Sequence, residues 1–291
     1  MNQSAVDKWK RRVSSHHAQS HSVIEVSVQS DFWASSSYRF KDDPYRLDDL
    51  VLNAIQDLIG EANSVLDVGG GAGRYAMPIS LRSRSVTVLD QSEAMLKMLR
   101  NQVKYYNIPY IEIVHGSFED ILFSGADVVL CAHVLYTVET IDTFIARLNS
   151  VSRHKIIIVM FEKSPQSELT EIWKFVHGNC RITLPGATEL LDVLKSIGIK
   201  GVGFKRILLK PNYYLSLEDA FKIICEKIFI QTESLKGRRL SKGLGNYMDY
   251  IDNRYVVKGS GGRLVSIISW EVSRGKSNGS YVGIVDPLFQ T

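Results

Sequence analysis

The stretch Val65-Leu66-Asp67-Val68-Gly69-Gly70-Gly71-Ala72-Gly73 decides the fold. An apolar run ends in an acid, one more apolar residue and a cluster of four glycines in five residues. The run reads as a buried strand, Ser64 to Val68, and the glycines as a tight turn opening a helix. Glycine lacks Cβ, so the backbone can turn sharply there and lie against a ligand. The ligand then meets backbone N–H groups at a helix N-terminus.

Outward from this turn the pattern alternates. Leu50, Val51, Ala54, Ile55, Leu58 and Ile59 recur at helical spacing before it, within Asp48 to Ile59. After it come a helix over about Arg74 to Leu81 and a strand over Val86 to Leu89. Ser92 caps a helix striped by Met95, Leu96, Leu99 and Val103, which Asn107-Ile108-Pro109 ends. Further strands are expected at Tyr110 to Val114, Ala126 to Ala132 and Ile156 to Phe161, with a helix through Ile141, Phe144, Ile145, Leu148 and Val151. Such alternation implies βαβ units, a parallel sheet and helices on both faces. The class is α/β, doubly wound, with the crevice at the carboxyl ends of the strands as the binding site.

Beyond residue 165 the reading is coarser. Helices are expected at Leu169 to Val176, Leu190 to Ile197 and Leu217 to Ile230, and strands at Val202 to Leu209 and Arg263 to Val272. The tail from Ser273 reads as peripheral. The first ~25 residues, with His16, His17 and His21 among serines, read as a mobile terminal arm. Three regions follow: an arm and lid over 1–45, a core over 46–165, and the rest of the sheet over 166–291 with a helical insertion at about 211–257.

A glycine loop alone does not separate nucleotide-binding proteins. The dinucleotide fingerprint GxGxxG fails here, because counting from Gly69 its last glycine falls on Arg74. An acid two residues before the first glycine also suits an ammonium group better than a pyrophosphate. A second acid, Asp90, ends the next strand about twenty residues on, where a carboxylate can accept both ribose hydroxyls.

These residues resemble motif I of class I S-adenosylmethionine-dependent methyltransferases, acid-x-Gly-x-Gly-x-Gly. The resemblance spans roughly Asp48 to Glu162. It implies a seven-stranded, mostly parallel, Rossmann-like sheet with a helical N-terminal lid and a C-terminal insertion. It further implies that Asp67, Gly69, Gly70, Gly71 and Gly73 hold the aminocarboxypropyl end of S-adenosylmethionine, with Asp90 on the ribose and Gln91 beside the adenine. Many relatives carry an Asp past the third strand for the adenine amino group; this chain has Ser117 there, followed by Phe118 as a candidate adenine contact. The fourth strand, ending in Ala132-His133-Val134-Leu135-Tyr136, resembles motif IV. His133 and Tyr136 are therefore the candidate catalytic groups, and His133 a cofactor contact as well. By family topology the last strand is expected antiparallel at the sheet edge. Phe32-Trp33 and Tyr38-Arg39-Phe40 are candidate lid residues, and Arg39 or Arg74 candidate partners for the cofactor carboxylate.

Composition narrows the class. The chain has 291 residues, 45% hydrophobic and 23% charged, with a formal net charge of +4. That balance permits a nucleic-acid partner without favouring one. Cys131, Cys180 and Cys225 are far apart with no CxxC pair, so neither a disulfide framework nor a metal site is expected, and a cytoplasmic protein is. No apolar run approaches the ~20 residues of a membrane span. The favoured reading is methyl transfer to a small-molecule acceptor. The absence of an Asn/Asp-Pro-Pro-Tyr-type motif after the fourth strand weighs against a nucleic-acid amino-methylating enzyme. An RNA or protein methyltransferase, a non-catalytic cofactor-binding assembly factor and, disfavoured by the loop, an NAD(P) oxidoreductase remain alternatives. Oligomeric state is not legible.

Overall fold

Strands and helices alternate through most of the chain. The strands are β1 (Ser64–Val68), β2 (Ser85–Asp90), β3 (Ile111–His115), β4 (Ala126–Ala132), β5 (Ser152–Phe161), β6 (Gly203–Leu209), β7 (Met248–Ile251), β8 (Arg254–Val257) and β9 (Arg263–Glu271). The helices are α1 (Ala5–Val23), α2 (Leu50–Ile59), α3 (Ala76–Ser80), α4 (Glu93–Tyr106), α5 (Ile141–Val151), α6 (Thr170–His177), α7 (Ala187–Ser196), α8 (Leu217–Lys227) and α9 (Leu235–Gly243). This is a computed structural model, and it describes residues 4–25, 31, 33, 34, 37–108 and 110–272. Phe32, Pro109 and the tail from Ser273 lie outside the described residues.

Seven strands form one sheet in the order β3-β2-β1-β4-β5-β9-β6; β7 and β8 make a separate hairpin. All neighbours among β1 to β5 are parallel, while β9 runs antiparallel to both β5 and β6. Alternating side chains set the layers. Leu66, Val68, Val129, Cys131, Ile156 and Ile158 pack on one face with α1, α5 and α7. Val65, Val128, Leu130, Ile157 and Val159 pack on the other with α2, α3 and α4. Burying each such aliphatic side chain stabilises the fold by roughly 1.5–3 kcal/mol before entropy is counted. The sheet is the doubly wound, mostly parallel one expected.

Two expectations need correction. The last strand is not at the edge: β9 lies between β5 and β6, and β6 takes the edge. Val265, Ile267, Ile268 and Trp270 of β9 are buried, as an interior strand requires. Phe204, Lys205 and Arg206 of β6 are exposed, and charge on an edge strand discourages further pairing. The N-terminal segment is also no loose arm. The Ser4 hydroxyl accepts the Asp7 N–H and caps the 19-residue α1. Trp9, Val13, His16 and Ser20 then form its buried stripe. Trp9 Nε1 donates to the Val138 carbonyl at 2.8 Å. Arg181 stacks on Trp173 at 3.8 Å and donates to His16 Nε2 and Ser20 Oγ, pinning the helix to the α6–α7 connection.

A third core forms a cap. Leu169, Ile172, Trp173 and Val176 join Tyr214, Ile224, Cys225, Leu240, Leu244 and Met248, so α6 packs with α8, α9 and the β7–β8 hairpin. Ser216 caps α8 by accepting the Asp219 N–H at 3.0 Å.

Candidate functional site

The chain leaves β1, runs outward through β2 and β3, and returns to β4 on the other side of β1. The sheet's switch point therefore lies between the carboxyl ends of β1 and β4, where a crevice must open. Asp67 and the glycine turn stand on one lip and His133 on the other.

The turn is built by positive φ. Gly69, Gly71 and Gly73 have φ of 71°, 54° and 82°, a region costly for residues with a Cβ. Space is as strict. A Cβ on Gly69 would lie 2.3 Å from Val134 Cγ2, and one on Gly73 2.4 Å from Leu99 Cδ1. A Cβ on Gly70 would fall 2.6 Å from Asp67 Oδ2, directly over that carboxylate. The Gly69 and Gly70 N–H groups donate to the Leu89 carbonyl at 2.7 and 3.2 Å, tying the turn to the end of β2.

The two acids differ. Asp67 is 1% exposed, and its Oδ1 has no hydrogen-bond partner among the described residues. Burial, and then the neighbouring Asp90, push its carboxyl up to about 7. Asp90 is half-buried; Oδ2 accepts the Gly71 N–H at 2.9 Å and Oδ1 the Ser92 N–H at 2.8 Å. Burial raises its carboxyl too, against those hydrogen bonds. Each oxygen keeps a further lone pair. Beside it, Asp31 accepts from Ser92 Oγ and from the Ala94 N–H at 3.0 Å, anchoring the segment before α2 to the start of α4.

His133 follows β4 with φ 61°, a left-handed conformation that few non-glycine residues adopt. Its ring stacks on Phe161 at 4.7 Å, and its Nδ1 lies 3.1 Å from the Tyr136 hydroxyl. That hydroxyl accepts the Phe161 N–H at 2.6 Å, so its own proton is free for Nδ1. The network thus assigns the His133 proton to Nε2, which makes no hydrogen bond among the described residues. Burial, helped by Arg74 and Arg263, lowers the imidazole to about 4, so it is neutral at pH 7.

The other sequence candidates disperse. Gln91 is exposed, and its carbonyl accepts from His115 Nε2 at 3.1 Å. The Ser117 hydroxyl donates to Glu119 in a local turn. Phe118 is 3% exposed, packed on Phe144 at 5.1 Å beneath Arg147, and has no face left for a ligand. Arg39 pairs with Glu226 at 3.0 Å, and Arg74 with Asp42 and Asp49 at 2.7 and 2.9 Å. Trp33 packs edge-on against Phe40 at 5.3 Å. Of the aromatic residues in the insertion, Tyr213 and Tyr250 are exposed, Tyr247 packs on Phe175, and Tyr214 is buried. Among its basic residues, Lys236 reaches Glu25 at 3.7 Å, and Arg239 donates to the Val176 carbonyl at 3.3 Å.

Sequence reading missed Phe161 and Arg263. The Arg263 guanidinium lies over the Phe161 ring at 4.8 Å, one aromatic ring from His133. Antiparallel β9 starts where parallel β5 ends, which brings its first residue to the same sheet edge.

With that geometry in hand, relatives can be compared. The family model of a methyltransferase domain matches residues 65–155, which run from β1 into β5 and hold the glycine turn, Asp90 and His133. Over these residues the chain carries a methyltransferase domain. Solved structures agree on the fold. A putative methyltransferase from Bacillus halodurans C-125 is 17% identical with TM-score 0.52, the match covering 78% of this chain and 99% of that one. An S-adenosylmethionine-dependent methyltransferase from Geobacter sulfurreducens, solved with S-adenosyl-L-homocysteine, is 14% identical with TM-score 0.52, covering 84% and 98%. Among the described residues no helix is long and apolar enough to cross a membrane.

Proposed function

We propose that this methyltransferase acts on a small-molecule acceptor bound between the carboxyl edge of the sheet and the cap, with the cofactor on the Asp67–Asp90 side. The observation that carries the cofactor placement is the partnerless, fully buried Asp67 Oδ1 under a turn that only glycine can form. A buried acceptor without a donor is costly. An ammonium group above Gly70 would meet the same carboxylate through Oδ2, the oxygen that faces the turn, directly or through water. Asp90 keeps lone pairs for two ribose hydroxyls while holding the turn through Gly71.

When bound, the sulfonium supplies a methyl group already activated for in-line displacement. The residues of the chain then hold the acceptor in line, at about 3–3.5 Å contact. His133, neutral and oriented by Tyr136, offers an Nε2–H donor that holds a neighbouring oxygen of the acceptor and leaves the attacking lone pair free. With Nδ1 occupied by the tyrosine hydroxyl, positioning is favoured over proton removal, which an amine acceptor does not need.

The test is transfer of a deuterated methyl group from S-adenosylmethionine, with the full chain incubated in cell extract separated into small-molecule and macromolecular fractions. Label is expected in a small molecule. Label confined to RNA or protein would overturn the acceptor class, and no label despite S-adenosylhomocysteine binding would point to a non-catalytic scaffold.

A further inference from the structure

Gln102 breaks the apolar pattern of α4. It shares the buried stripe with Met95, Leu96 and Leu99 and is 4% exposed. A buried amide is costly unless its donor and acceptor both find partners. Both do. Nε2 donates to the Ala72 carbonyl at 2.8 Å, and Oε1 accepts the Asp42 N–H at 3.1 Å. One carboxamide thus joins α4, the glycine turn and the segment before α2.

The Ala72–Gly73 peptide closes that turn. Its N–H donates to the Gly70 carbonyl at 2.9 Å, while its C=O takes Gln102. The glycines on either side of Ala72 offer this peptide plane little torsional resistance of their own. Arg74, next in the chain, is gripped by the same preceding segment. Its guanidinium pairs with Asp42 and Asp49, and its carbonyl accepts from Arg46 Nη2 at 2.8 Å. The first half of the turn therefore leans on Leu89 and Asp90 in β2, and the second half on Gln102 and residues 42–49.

We propose that Gln102 is a positioning residue for the methyl donor: its carboxamide locks the Ala72–Gly73 peptide, and with it the Gly70–Gly71 backbone over Asp67, in the geometry that receives the cofactor. This rests on the cofactor placement above and adds a residue to it. Gln102 acts through the backbone. By fixing the turn in advance it removes motion that binding would otherwise have to freeze.

The test is calorimetric titration of S-adenosylhomocysteine into the full chain as wild type, Gln102→Met and Gln102→Glu, well below the unfolding midpoint of each. Methionine is similar in length and loses both hydrogen bonds. A protonated glutamic acid reproduces them, donating to Ala72 and accepting from Asp42, whereas a carboxylate has no proton to donate. Gln102→Met is expected to weaken binding about tenfold at every pH. Gln102→Glu is expected to match it at pH 9 and to come within about threefold of the wild type at pH 5.5. Comparing each variant with the wild type at the same pH cancels the titration of Asp67. A side chain that only fills space would give no such recovery. The proposal is overturned if folded Gln102→Met binds within twofold of the wild type, or if Gln102→Glu at pH 5.5 recovers no affinity relative to Gln102→Met. Should Gln102→Met not fold, the recovery of Gln102→Glu between pH 9 and 5.5 decides alone. Failure of the wild type to bind S-adenosylhomocysteine would instead sink the cofactor placement itself.

Discussion

The two sides of the switch point carry opposite electrostatics. On the β1–β2 side stand two carboxylates, one without a partner and inclined to keep its proton. On the β4–β5–β9 side stand a histidine that resists protonation, an aromatic floor and the Arg263 guanidinium. The same desolvation acts on both. It raises an acid and lowers a base, because burial disfavours whichever form is charged. The difference therefore tells which ligand charge each side is built to receive. A buried carboxylate of this kind suits the cationic end of a ligand.

The largest effect expected from breaking this contrast is at Asp90. Asp90→Ala removes the acceptor of the Gly71 N–H along with the ribose contact. S-adenosylhomocysteine affinity should fall about a hundredfold, as loss of two charge-assisted hydrogen bonds implies. Isothermal titration measures it. Retention of wild-type affinity would remove Asp90 from the site.

A smaller effect comes from pH. Asp67 titrates at about 7 in the free protein, so an ammonium ligand must displace a proton when it binds below that value. Affinity should weaken as pH falls below 7, approaching tenfold per unit at most. Asp67→Asn should bind more weakly at pH 8 and lose this pH dependence. An equally steep dependence in the variant would locate the titrating group elsewhere.

The smallest concerns His133. Its folded value of about 4 lies below the ordinary 6.5, so between these values the unfolded chain takes up a proton that the native state refuses. Stability from this group is complete above pH 6.5 and is lost as pH falls towards 4. His133→Asn, which tolerates the left-handed backbone, should lose about 2 kcal/mol less than the wild type between pH 7 and 5. Thermal unfolding at the two pH values checks it. Equal losses would place the wild-type imidazole in water.

The central strands and the glycine turn were legible because their signals are local. Val65 to Gly73 states a strand, a turn and a helix start within nine residues. β4 matched Ala126–Ala132, since a doubly buried strand is continuously apolar. α1 was harder, because half of its buried stripe is polar: His16 and Ser20 both accept hydrogen bonds from Arg181, 160 or more residues away. The β7–β8 hairpin had a readable signal that was passed over. Asp252-Asn253, both with positive φ, is a two-residue turn of the kind hairpins favour. Phe118 illustrates the opposite case, a residue whose motif position suggests a ligand while its packing makes it core. Arg263 could not be found from spacing. Its place beside His133 depends on β9 being antiparallel and interior, a property of the whole sheet.

The most direct test of the acidic side as the cofactor site is calorimetric titration of S-adenosylmethionine and S-adenosylhomocysteine into the wild type and Gly71→Arg. Gly71 is the glycine whose added side chain meets only the end of Met95, at 3.1 Å, before reaching the Asp90 carboxylate. Micromolar binding by the wild type, and none by a folded Gly71→Arg, is the predicted result. A folded wild type that binds neither ligand, or a Gly71→Arg protein that binds both as well as the wild type does, would contradict it.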